Sequence, residues 1–95
     1  MDQRPKAVPT VQVSNERVQV TEWRFPPGAE TGWHRHEMDY VVVPITDGRL
    51  LLETRDGNLE AELVLGRSYA RAVGVEHNVV NASPHEVAFV EIEVR

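Results

Sequence analysis

The chain has 95 residues, which bounds it to one domain, and no cysteine, which excludes disulfides and thiolate metal sites. Fifteen acidic residues against ten basic ones give a formal net charge of −5, and the basic residues are nine scattered arginines plus Lys6. No basic block is available to neutralise nucleic-acid phosphates or to seek an anionic membrane, so neither nucleic acid nor membrane is an expected partner.

In chain order, residues 1–7 are polar and proline-containing and read as a flexible tail, ahead of a single domain over 8–95. No apolar stretch of signal-peptide type follows Lys6, and the longest aliphatic runs, such as Val41-Val42-Val43, are far short of a membrane span; the expected location is the cytoplasm. Beyond the tail, alternation of apolar and polar residues dominates and no helical period is sustained.

Val11, Val13 and then Val18, Val20 flank Ser14-Asn15-Glu16 as two strands, the second running on to Trp23 and Phe25 before Pro26-Pro27-Gly28 stops it. Residues 33–36 read as extended and residues 40–46 as β-rich, with Pro44 implying an edge position or a bulge. Asp47-Gly48 and Asp56-Gly57 are tight-hairpin signals, before strands over 50–54 and 59–65. Short strands follow over 68–72 and 77–80, and a last one over 87–94, where Val90, Ile92 and Val94 alternate with Glu91 and Glu93. The two glutamates read as solvated. Eight or nine short strands with turn signals every 8–12 residues predict an all-β sandwich or barrel.

His34-Arg35-His36 is the first candidate site. On a strand, residues i and i+2 share a face with Cβ atoms ~6–7 Å apart, a separation from which two imidazoles can converge on one cation. Two neighbouring surface histidines are the plainer alternative. His77 sits in a separate strand, and His85, in a Ser-Pro loop, reads as exposed.

Two motifs in order extend this. Gly28, five residues, His34-x-His36 and then Gly48 resemble the first motif of the cupin family, with the closing glycine one residue late. Gly66, Gly74, His77 and Asn81 resemble the second, with Ala72 at its proline position. Together they span residues ~17–94. The resemblance implies a double-stranded β-helix, or jelly-roll barrel. It also implies a divalent metal held by His34, His36 and His77. The family's glutamate ligand falls on Tyr40, a poor ligand at neutral pH because a phenol titrates near 10. Glu37 or Asp39 would replace it only if a bulge re-aimed the strand. Three histidines suit a transition ion (Zn, Ni, Fe, Cu or Mn) rather than Mg or Ca.

Tyr40 and Arg71 are the candidate substrate contacts, the arginine as a carboxylate clamp; barrel filling and a surface salt bridge are their plainer fates. Trp23 and Trp33 read as core or subunit-contact residues, and Asn81 as a turn anchor. The expected function is a small metal-dependent cupin acting on a small organic acid or amino-acid-derived metabolite, of dioxygenase, isomerase or lyase type. Residues 33–48 and 74–81 are similar to short cupins of β-alanine degradation. A non-catalytic small-molecule-binding module and a metal-free dimerising barrel stand as alternatives. A homodimer fits all three, since a small open barrel has edges to cover and residues 8–13 offer one.

Overall fold

The computed structural model describes residues 3–95, so Met1 and Asp2 of the expected tail lie outside the described residues. Nine strands and no helix make up the described chain: β1 (Val8–Ser14), β2 (Val18–Phe25), β3 (His34–Arg35), β4 (Asp39–Pro44), β5 (Gly48–Thr54), β6 (Gly57–Leu63), β7 (Tyr69–Arg71), β8 (Glu76–Asn81) and β9 (Val87–Val94). They form two antiparallel sheets, one of order β1-β2-β9-β4-β7 and one of order β3-β8-β5-β6. The expected jelly-roll barrel is present.

Local chemistry explains the turns. Asn15 ends β1 because its Oδ1 accepts hydrogen bonds from the Arg17 and Val18 amides, 2.8 and 3.0 Å away. The β5–β6 hairpin closes at Thr54 opposite Gly57, where φ of +117° favours glycine. Asp47-Gly48 has a different role from the hairpin read in the sequence. It carries the chain from β4 in one sheet to β5 in the other, and Asp47 Oδ1 accepts from the Leu65 amide. A side chain at Gly48 would collide with Val87 and press on Ser83, so glycine there permits close sheet-to-sheet approach. Pro44 holds an edge position and not a bulge, because no β7 residue pairs with it. It ends an interior strand, beyond the last β4–β7 pair at Val42 and Tyr69, and the bulge lies in β1 between Val11 and Val13.

The closed end of the barrel is apolar. Phe25, Leu50, Leu63 and Val87 are fully buried, and Phe25 and Phe89 pack with ring centroids 5.4 Å apart. Asn81 is the polar member of this layer. Its Nδ2 donates to the carbonyls of Phe25, Pro26 and His85, and its Oδ1 accepts from the Ser83 amide. The turn-anchoring role expected of Asn81 is therefore present. From Arg4 onward the N-terminal segment lies along residues 28–31: Ala7 is buried and donates its amide to Glu30, and the Glu30 amide donates back to Pro5.

The last strand reverses the sequence reading. Val87, Phe89, Glu91 and Glu93 face the barrel interior, while Val90, Ile92 and Val94 face out. The register shows it: Val20, Ile92 and Val41 form one cross-strand row, and Tyr40 lies opposite Glu93. The glutamates expected to be solvated are thus on the inner face and only part exposed.

Candidate metal centre

At the open end of the barrel, His34 and His77 are directly paired across β3 and β8. His36 follows just past β3, where its amide donates to the Val75 carbonyl and its carbonyl accepts from Gly74. This brings three imidazoles together. His36 Nε2 lies 3.1 Å from His34 Nε2 and 3.2 Å from His77 Nε2. His36 and His77 are 5% and 8% exposed, and His34 is half-buried.

The hydrogen-bond partners settle one tautomer. His34 Nδ1 sits 2.9 Å from the Gly32 carbonyl oxygen, which can only accept, so Nδ1 carries the proton and neutral His34 presents a lone pair at Nε2. Asn78 holds that loop by accepting the Gly32 amide at 2.9 Å, while its Nδ2 donates to Glu30 and Glu53. Arg4 closes the network with two hydrogen bonds to the Glu53 carboxylate and one to Glu30. A chain of contacts thus runs from the N-terminal segment to a ring nitrogen of the site.

Burial lowers the pKa of His36 to about 4, helped by the neighbouring charges of His34 and His77. Burial lowers that of His77 to about 4 as well, helped by His34 and Arg71. Both rings are therefore neutral at pH 7, the state a metal ligand needs. The donor set fits a cation by geometry too. Bonds of ~2.0–2.1 Å at angles between tetrahedral and octahedral values place neighbouring ligand nitrogens ~2.8–3.4 Å apart, which brackets the observed 3.1 and 3.2 Å.

Tyr40, at the position of the family's glutamate, is buried and stacks on His36 with ring centroids 3.8 Å apart and planes 18° from parallel. Burial, with Glu91 nearby, pushes its phenol well above the usual range, so it stays protonated. Glu37 is exposed, and Asp39 is exposed with its Oδ1 accepting from the Val73 amide, so neither turns toward the histidines. The residues missed by sequence reasoning are Glu91 and Glu93, whose carboxylates lie within 4.8 Å of a His36 ring nitrogen and of one another. Burial and the charge of Glu93 raise Glu91 to about 7.

Behind the histidines an apolar cavity of about 180 Å³ reaches into the barrel. Leu50, Leu52, Val79 and Phe89 line its depth, and Tyr40, Tyr69 and Arg71 stand with His77 and Glu91 on its walls. Arg71 lies over the Tyr69 ring, 4.6 Å from its centroid, and gives one hydrogen bond to the Ala70 carbonyl. It makes no salt bridge among the described residues. Trp23 packs against the core, Trp33 is exposed beneath the Arg55 guanidinium, and His85 is exposed.

Comparison with known proteins gives this arrangement a family. Residues 21–93 match the family model described as a cupin domain. The chain belongs to the cupin family. It is 67% identical, over the whole of both chains, to the β-alanine degradation protein BauB of Pseudomonas aeruginosa. It is 64% identical to a cupin domain from Bordetella pertussis whose crystal structure superposes with a TM-score of 0.98, covering 100% of this chain and 99% of that one. A double-stranded β-helix domain from Klebsiella pneumoniae matches with a TM-score of 0.78 at 20% identity, over 99% of this chain and 81% of the other, a likeness of fold alone.

Proposed function

We propose that this cupin holds one divalent transition ion on His34, His36 and His77 and takes a small carboxylate-bearing metabolite into the adjoining cavity, in a step of β-alanine degradation. The observation that carries the reading is the convergence of three imidazole nitrogens, with His36 Nε2 3.1 and 3.2 Å from the other two and two of the rings buried and neutral. The name of the Pseudomonas relative supplies the metabolic setting. The cavity is smaller than the ~300–1,000 Å³ of pockets for drug-sized ligands, which limits the substrate to a few heavy atoms.

When bound, the ion supplies Lewis-acid polarisation of a substrate oxygen. The remaining work falls to the chain. Arg71 offers guanidinium N–H groups to a carboxylate at the cavity wall, in a fork that matches carboxylate geometry. The protonated Tyr40 hydroxyl donates a hydrogen bond to the substrate. Leucine and valine side chains exclude water from its apolar end. His34 keeps its Nε2 lone pair directed into the site because Gly32 holds the proton on Nδ1.

A holding role without turnover is the second reading, and Tyr40 favours it. The β4 position that carries a carboxylate in the family here offers neither an anionic ligand nor a base. The chain is also expected to act as a homodimer. β1 is an edge strand exposed along its whole length, continuous with the valine-rich outer face of its sheet.

Elemental analysis of tag-free protein and of a His34→Ala/His77→Ala variant tests the metal. Near-stoichiometric metal in the wild type and none in the variant is the expected result. No metal in the wild type after reconstitution overturns the reading. Three-carbon amino and carboxylic acids then separate the two functional readings. Turnover supports catalysis, and a raised melting temperature without turnover supports holding.

A further inference from the structure

We infer that the oxygen ligand absent from β4 is supplied by β9, through Glu91. This rests on the metal reading above and deepens it, because it changes the donor set from three nitrogens to three nitrogens and one carboxylate drawn from the opposite sheet.

Three observations carry it. First, Glu91 and Glu93 face inward, and their oxygens lie within 4.8 Å of a His36 ring nitrogen. Second, these part-buried carboxylates have no counter-charge: among the described residues neither takes part in a salt bridge or a side-chain hydrogen bond. Two carboxyl groups side by side in a part-buried site ionise together only at a cost, and a divalent ion offsets that cost. Third, the place a β4 ligand would occupy is filled by the Tyr40 ring stacked on His36. β9 is the strand next to β4 in the sheet, and Glu93 is the cross-strand neighbour of Tyr40.

Of the two glutamates, position selects Glu91. It lines both the apolar cavity that contains His77 and the shallower cleft, open toward β1, that contains His34 and His36. Glu93 lines only the cleft. Glu91 is thus the carboxylate that borders the spaces lined by all three histidines, with His36 as its near neighbour, and a turn of its side chain would bring it to the ion while Glu93 supplies charge beside it. A mixed nitrogen and oxygen set with open positions suits first-row ions such as Fe, Mn, Co and Ni, and carries one positive charge less than three neutral histidines would.

Cobalt(II) is the probe, because its visible spectrum reports the ligand set and its affinity is measurable by chelator competition. Wild type, Glu91→Gln and Glu93→Gln are compared with and without the ion. Glu91→Gln is expected to bind cobalt at least ~10-fold more weakly with an altered spectrum, and Glu93→Gln to lose less than ~3-fold with the spectrum kept. The ion-free variants should melt at or above the wild-type temperature, since each relieves the crowding of two part-buried carboxyl groups; a lower melting temperature would show that Glu91 is structural and overturn the assignment. Wild-type affinity and spectrum in Glu91→Gln would overturn this inference while leaving the three-histidine centre standing. The larger loss appearing in Glu93→Gln would overturn the choice of residue. A wild type that binds no cobalt would remove both readings together.

Discussion

Tyr40 lies face to face with His36, its ring centroid 3.8 Å away, and so braces the most enclosed of the three imidazoles from the β4 side. The stack needs the ring and not the hydroxyl, since no hydrogen bond to the Tyr40 oxygen is found among the described residues. Tyr40→Phe should therefore keep metal affinity and cost less than ~1.5 kcal/mol, as volume-conserving core changes do. Tyr40→Ala should cost ~3–5 kcal/mol and weaken metal binding by freeing the His36 ring. Urea unfolding of the apo proteins, paired with metal titrations, checks both; a Phe variant that loses the metal would show that the hydroxyl matters.

Asn81 supports the opposite end of the barrel. Its amide group satisfies three backbone carbonyls and its oxygen one amide, all in a layer where it is itself 2% exposed. Asn81→Ala removes four hydrogen bonds from this layer, leaving Pro26 only its bond from the Ala29 amide, and should destabilise the fold by ~2–4 kcal/mol. Asn81→Asp should fare no better, because a carboxylate cannot donate to the Phe25, Pro26 and His85 carbonyls. The midpoint of urea unfolding measures both, and a change below about 0.5 kcal/mol for the alanine variant would contradict the account.

The histidines were legible because their signal is local: His-x-His shares a face, and a glycine-punctuated strand places His77 opposite His34. The strands were legible from their turn residues, down to the Val87 and Val94 limits of the last one. What failed was the assignment of faces and of sheets. β9 is apolar on both sides, with Val87 and Phe89 inside and Ala88, Val90 and Ile92 outside, so alternation alone could not say which side carried Glu91 and Glu93 inward. The Asp47-Gly48 turn looks like a hairpin in sequence, and only the separation of β4 and β5 into different sheets makes it a corner. Arg4, Glu30, Glu53 and Asn78 meet across up to 49 positions of chain, beyond the reach of any spacing rule.

That four-residue network predicts an acid response. Asn78 and then Arg4 hold the Glu30 carboxyl below its usual range, and Arg4 and then Asn78 do the same for Glu53. The unfolded chain therefore binds more protons than the folded one in the interval below ~4.3, the ordinary glutamate value. The stabilisation is complete above that value and is lost as pH falls through the lowered folded-state values. The effect is small and salt-sensitive, because both carboxylates are only part-covered and their partner Arg4 is exposed. Urea midpoints measured from pH 6 to pH 3 should fall more steeply for the wild type than for Arg4→Ala or Glu53→Gln. Parallel curves for all three would show that the contacts carry no stability.

Association is the last expectation, and the outer face of the five-stranded sheet locates it. Val13, Val20, Ile92, Val41 and Ala70 occupy one row across all five strands, with Val18 and Val94 above it and Val90 and Val43 below. The apolar residues of the three central strands in these rows are only part-covered within one chain, apart from the exposed Val94, and β1 beside them has an unpaired backbone edge. A stable contact needs ~800 Å² from each partner, a modest share of the 5923 Å² surface, and this sheet face and edge can provide it. Two copies of the same face bring the central row together, with Glu22, paired to Arg24, and Asp39 in the flanking rows, as a twofold interface with an apolar centre and a polar rim requires. Ile92→Glu places a carboxylate in the middle of the row and should shift the protein from dimer to monomer in sedimentation velocity at tens of micromolar. It should leave metal content unchanged, since residue 92 points away from the barrel interior. A wild type that sediments as a monomer at that concentration would remove the dimer, and the valines would then need another cover.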